Sequence, residues 1–204
     1  MKAKFLSVLL ALTMVLSLLS TAVLAADGEP VVQSATVTTV ATADALQNAL
    51  NAAKNGDTIR LTDDIELTET LSITKNVTLD GDNHKITGSV SDGSFISVNI
   101  ADKGDFTMTN CVVVPTAQVN PNAAISLEVA GKVTITNCTF GSESDTAGYM
   151  YNGLEFSQSR AMADTTISGN TFYGGAFRHN CISFYMMQEG ATINISGNKF
   201  VDLN

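Results

Sequence analysis

The sequence predicts an all-β chain wound as a parallel β-helix, a solenoid closed at its N-terminal end by a short capping α-helix. Three observations carry this. A short pattern recurs as TISGNTF at Thr166–Phe172, TITNCTF at Thr134–Phe140 and INISGNKF at Ile193–Phe200, with a weaker copy, TMTNCVV, at Thr107–Val113. The column Cys111, Cys138, Asn170, Asn198 steps by 27, 32 and 28 residues, a period that marks stacked repeats. Within each copy apolar and polar residues alternate, the strand period of two. Each copy then breaks at Asn-Cys or Gly-Asn, residues that tolerate the left-handed backbone of a sharp bend.

A second strand precedes each copy: Phe95–Ile100, Ala124–Val129, Gly153–Ser157 and Cys181–Met186. One unit is thus strand, short polar link, strand, tight bend, short strand and variable loop. No such unit can bury its own apolar face. Stacking buries a continuous core and pairs each strand with its equivalent one coil away. A two-sheet sandwich is the competing all-β arrangement, but it does not explain bends that recur at one place in every unit.

The chain also opens its repeats in a particular way. Ala43–Ile59, ADALQNALNAAKNGDTI, is a helix followed by a first strand, and Val77–Gly81, VTLDG, precedes His84–Ile86. On these segments and the repeats, residues 40–204 resemble the pectin-lyase-like family of parallel β-helices. The resemblance implies a right-handed coil, in keeping with the general hand of parallel crossovers.

In chain order, Met1–Ala25 reads as a secretory signal: Lys2 and Lys4, then the apolar run Phe5–Leu19, then small residues at Val23–Ala25. That run of 15 residues falls short of the ~20 that a spanning helix needs. No later run is long enough to span, so no membrane segment is expected after cleavage. Losing the signal leaves nine basic against twenty acidic residues, a charge of −11. Such a chain suits neither nucleic acid nor an anionic lipid surface. Export, few lysines and no Trp suit a secreted or cell-surface bacterial protein. Residues 26–42 read as a linker or loosely docked strand, and 43–204 as the β-helix domain.

The helix is expected over 45–54, capped by Thr42 or by Asp44 with Gln47 as a capping-box variant, and stopped at Asn55-Gly56. Leu46, Ala49, Leu50 and Ala53 share one face, which should cover the open end of the stack. Ile59–Leu61, Ile65–Leu67, Leu71–Ile73 and Val77–Leu79 are the strands of the first coils. Asp63-Asp64 reads as a solvated turn and Asp80–Asn83 as a sharp bend rather than a calcium loop. The loops 114–122, 141–152 and 174–180 occupy one position in the repeat and should project from one edge. Arg160 reads as a surface partner of Asp164. The chain stops at Asn204 directly after a coil strand, so a truncated chain, further C-terminal domains, or a partner over the open end is expected.

Cys111 and Cys138 fall one coil apart, about 4.8 Å by strand spacing and within disulfide range. A stack of small buried thiols is the preferred reading, a disulfide the alternative. Cys181 has no evident partner, and no spacing suggests a metal site.

Candidate chemistry lies on the strands before the motif. Aligning Ile125 with Leu154 and Ile182 gives two outward columns, Ser97-Ser126-Glu155-Ser183 and Asn99-Glu128-Ser157-Tyr185. Glu128 and Glu155 would then have backbones roughly 8 Å apart, which could bring their carboxyls within the ~5–9.5 Å that glycosidases use. Arg178 and His179, placed on the third loop, form the dipeptide that best suits a lyase. Tyr149, Tyr151 and Tyr185 are candidate ligand-binding aromatics. Against catalysis, the outward columns hold no Asp of the kind that binds calcium in pectate lyases, and the paired-Asp and Trp-containing motifs of the wider family are absent.

These residues favour a non-catalytic exported module (an adhesin, stalk or glycan-binding segment) whose partner is an extracellular glycan or cell-wall component. It needs no cofactor. The alternative is a polysaccharide lyase or glycoside hydrolase built on Glu128, Glu155, Arg178 and His179, with calcium only in the lyase case; it rests on fold-level analogy.

Overall fold

Backbone amides need partners, and a chain of short strands finds them only by winding back beside itself. In the computed structural model of the protein this happens in three parallel sheets. Described are residues 34–90, 93–101, 103–116, 123–143, 150–156, 164–186 and 188–202. The segments 1–25 and 26–33, Tyr149, Ser157 and Arg160 lie outside them.

The first sheet stacks β1 (Val37–Val40), β2 (Asp57–Leu61), β5 (Val77–Asp80), β8 (Phe106–Thr109), β11 (Val133–Thr136), β14 (Thr165–Ser168) and β17 (Ile193–Ser196). The second stacks β4 (Leu71–Ile73), β7 (Ser94–Ile100), β10 (Ala123–Val129), β13 (Met150–Phe156) and β16 (Phe177–Phe184). The third stacks β3 (Ile65–Leu67), β6 (Lys85–Gly88), β9 (Val112–Pro115), β12 (Thr139–Phe140), β15 (Thr171–Tyr173) and β18 (Lys199–Val201). The chain visits first, third and second sheet in turn, so the expected parallel β-helix is present. Its motif is the corner from first sheet to third.

That corner is left-handed at one residue per coil: Asn110 at φ 53°, Asn137 at 54°, Gly169 at 67° and Gly197 at 62°. The next residue points inward. Asn170, 1% exposed, donates from Nδ2 to the Ile135 carbonyl at 3.0 Å and accepts from the Cys138 N–H at 2.8 Å. Asn198 repeats both bonds one coil later, to the Ile167 carbonyl and the Asn170 N–H. Each amide therefore ties its corner to the coil before it. In the two earlier coils Cys111 and Cys138 are buried free thiols, each donating to a carbonyl of its own strand, Thr109 and Thr136, at 3.3 Å. Burial first, and the neighbouring Cys138 second, hold the Cys111 thiol well above its ordinary pKa. The stacked thiols are the form observed.

Inside, equal side chains stack. Phe140, Phe172 and Phe200 form a column with ring centroids 4.9 and 5.3 Å apart, and Phe156 lies 4.6 Å from Phe184. Ile59, Leu79, Met108, Ile135 and Ile167 line the first sheet at no more than 1% exposure.

The N-terminal end is closed by α1 (Ala43–Ala52), two residues earlier than expected at each end. Thr42 is the N-cap, its hydroxyl accepting from the Ala45 N–H at 3.2 Å. Asp44 and Gln47 form no capping box, because the Gln47 amide is used elsewhere. It donates to the Ser72 carbonyl and accepts from the Ser72 N–H, both at 2.9 Å. One side chain thus imitates the strand that edge strand β4 lacks, while Leu46 and Leu50 cover the core beneath.

Carboxylates pin the early coils. Asp57 accepts from the Thr36 N–H and hydroxyl and from the Lys54 N–H, at 2.8–2.9 Å, so β1 is docked to the helix exit. Burial pushes the Asp57 carboxyl up, but these bonds and the Lys54 charge bring it below its ordinary 3.8. Asp80 is likewise raised by burial and lowered overall by Asn110, the Asp82 N–H and Arg60, whose Nε lies 2.8 Å away. Asp64, expected to be merely solvated, accepts from the Lys85 N–H of the next coil at 2.8 Å. The third variable loop is also shorter than expected. A 3-10 turn, Gly174–Ala176, leads straight into β16, because Phe177 already pairs with Met150.

Two predictions follow from these contacts. Asn170→Ala strands the Cys138 N–H and the Ile135 carbonyl, so urea unfolding should show a loss of about 2–5 kcal/mol, at 1–3 kcal/mol per buried group; Asn198→Ala, in a half-buried site, should lose less. For Asp57 the folded pKa is lowered, so its stabilisation is complete above 3.8 and lost as pH falls through the lower folded value. The stability advantage over Asp57→Asn should therefore shrink steadily in acid, read from urea midpoints across the carboxylate range.

Candidate functional site

The second sheet holds the first expected column and, among the described residues, the first pair of the second. Ser97 pairs with Ser126, Ser126 with Glu155 and Glu155 with Ser183. Asn99 pairs with Glu128 in the second column. Strand alternation alone would leave these as separate exposed rows.

A register shift changes that. Met150 pairs with Phe177 but Asn152 pairs with Asn180, so three steps of β16 oppose two of β13. The extra residue is a bulge, which re-aims neighbouring side chains. Just past it, in the register that Asn152 and Asn180 set, the His179 ring lies on the Tyr151 ring, centroids 4.9 Å apart and planes 28° from parallel. Tyr151, Asn152, Glu155, His179, Asn180 and Tyr185 then line one open cleft of about 350 Å³.

Asn152, 7% exposed, organises the floor. Its Nδ2 donates to Glu155 Oε2 at 2.7 Å, and its Oδ1 accepts from Asn180 Nδ2 at 3.3 Å and from the Ser183 hydroxyl at 3.2 Å. The Glu155 carboxylate is thereby fixed beside the aromatic pair. Tyr185 is 47% exposed and stands at the rim.

The candidates separate accordingly. Glu155, His179, Tyr151 and Tyr185 converge. Glu128 does not join them: its Oε2 accepts from Asn99 Nδ2 at 3.0 Å, one coil back. Arg178 and His179 sit on strand β16, not on a loop, and Arg178 lines a neighbouring cavity of about 540 Å³ that shares His179 and Asn180 with the cleft. That cavity is larger, and it takes in the exposed Ile195 and Phe200 of the last coil. Cys181 also lines it, and burial raises its thiol pKa, away from nucleophilic use. Sequence reasoning missed Asn152, Asn180 and Ser183. Ser183 was legible as a column member, and aligning Leu154 with Ile182 also pairs Asn152 with Asn180, but strand alternation gives both amides the inward parity of that pair.

One family model matches, described as "Putative pectate lyase-like adhesive domain", over residues 37–147. Searches among curated proteins and among solved structures find no match. The cleft lies just past the matched segment, on coils that continue the same three sheets.

Asn152→Ala removes the partner of Glu155, Asn180 and Ser183 at once. It should lower stability by about 1–3 kcal/mol, whereas Ser183→Ala should cost under half of that; thermal melts of the two variants check the order.

Proposed function

The chain belongs to the pectate lyase-like adhesive domain family, whose model spans over half of it, and on that premise we propose that it is a non-catalytic adhesive module at the cell surface or outside the cell. Its ligand in this reading is an extracellular glycan held in the Tyr151–His179–Tyr185 cleft. The single observation behind it is the stacked ring pair beside an anchored carboxylate on a rigid sheet. A flat ring accepts the apolar face of a sugar, and fixed polar groups at its edge read the hydroxyls. Sheet-borne groups stay in place better than loop-borne ones, which suits repeated attachment.

A catalytic reading would need an acid and a base on either side of one bond. Glu128 and Glu155 are each engaged by a different Asn, and Arg178 lines the neighbouring cavity rather than the cleft. These placements favour binding over bond cleavage, although Glu155 and His179 do share the cleft.

Gel retardation on a polysaccharide panel, with reducing-end and unsaturated-product assays in parallel, tests the proposal. Retardation without product, weakened about tenfold by Tyr151→Ala as expected for loss of a ring platform, supports it. Product formation abolished by Glu155→Gln overturns it in favour of a lyase or hydrolase.

A further inference from the structure

Resting on the glycan-binding reading, we infer that the cleft takes an amine-bearing saccharide, with a protonated amino group against Glu155, and rejects polyuronates. The hydrogen-bond inventory carries the argument. Asn152 Nδ2 donates into Glu155, Asn180 Nδ2 donates into Asn152, and the Ser183 hydroxyl donates into Asn152 as well. One N–H of each amide and the Ser183 hydroxyl are thus turned on the floor itself. Glu155 Oε2 takes one of these bonds, and the carboxylate, which can only accept, keeps further lone pairs for a ligand. A charged acceptor with lone pairs to spare calls for a ligand that brings donors, and an ammonium brings three.

Charge and rings point the same way. Among the described residues Glu155 is the one acid lining the cleft, and neither Lys nor Arg lines it. The adjoining outward column adds Glu128, also a carboxylate. A string of uronate carboxylates would meet like charge here without a cation to bridge it. An ammonium would meet one carboxylate beside the stacked Tyr151–His179 pair and Tyr185, and aromatic rings favour cations. The sequence charge of −9 extends this preference beyond the contact itself, since a negative field draws cationic ligands in and slows anionic ones.

The test is calorimetric titration of the purified protein with four probes: a glucosamine hexamer, its N-acetylated counterpart, an oligogalacturonate and an oligolysine of matched length. The hexamer is expected to bind at least tenfold more tightly than its acetylated form. Glu155→Gln, which keeps shape and removes charge, should abolish that difference, and Tyr151→Ala should weaken both sugars. Equal or tighter binding of the acetylated sugar, or of oligogalacturonate, that is still lost in Tyr151→Ala overturns the amine preference and leaves the glycan site standing. Binding of no saccharide, or of oligolysine alone, overturns the amine preference and the glycan site together.

Discussion

The asparagine corner sets everything that follows in this chain. A solenoid coil has no internal means of knowing how far to slide along its neighbour, because parallel backbone pairing is satisfied in any even register. Asn170 and Asn198 remove that freedom. Each amide donates to one carbonyl and accepts from one N–H of the preceding coil, which only one register allows. Once the corner is set, the rings of Phe140, Phe172 and Phe200 fall on one another and the isoleucine and leucine columns close the core.

The same constraint explains why carboxylates and amides, not apolar contacts, finish the N-terminal end. Short strands at the beginning of a stack leave unpaired backbone on one side. Gln47 satisfies the edge of the second sheet at Ser72 with one amide. Asp57 gathers two backbone N–H groups and a hydroxyl where β1 and the helix exit meet. Asp80 does similar work at the one corner built on a longer bend, where Asp82 and Asn83 are both left-handed. Each is a polar side chain standing in for backbone that the fold cannot supply there.

The cleft arises where the stack departs from regularity. The shift falls between Met150 and Asn152, and beyond it Asn152 faces Asn180 and Leu154 faces Ile182, the register in which Tyr151 stacks on His179. Beside the shift at Met150–Asn152, three rings and the side chains of Asn152, Glu155 and Asn180 meet on an otherwise repetitive face. A uniform scaffold with one local irregularity concentrates recognition at that irregularity, as β-bulges near sites elsewhere do.

By itself the sequence determined the coil: the period, the alternation within strands and the left-handed corner residues are all local, and the pairing of Ile125 with Leu154 and Ile182 follows from aligning them. It also placed Glu155 and Tyr185 on the outer face. Only the tertiary structure decided which of the candidate residues meet. The partner of Gln47 lies 25 residues away, the reach of Glu128 is to Asn99 at 29, and Asn152 meets Glu155, Asn180 and Ser183 across two strands whose irregular pairing no single stretch encodes. Periodic structure is written in nearest neighbours, whereas a site built across coils depends on how one coil is laid against the next.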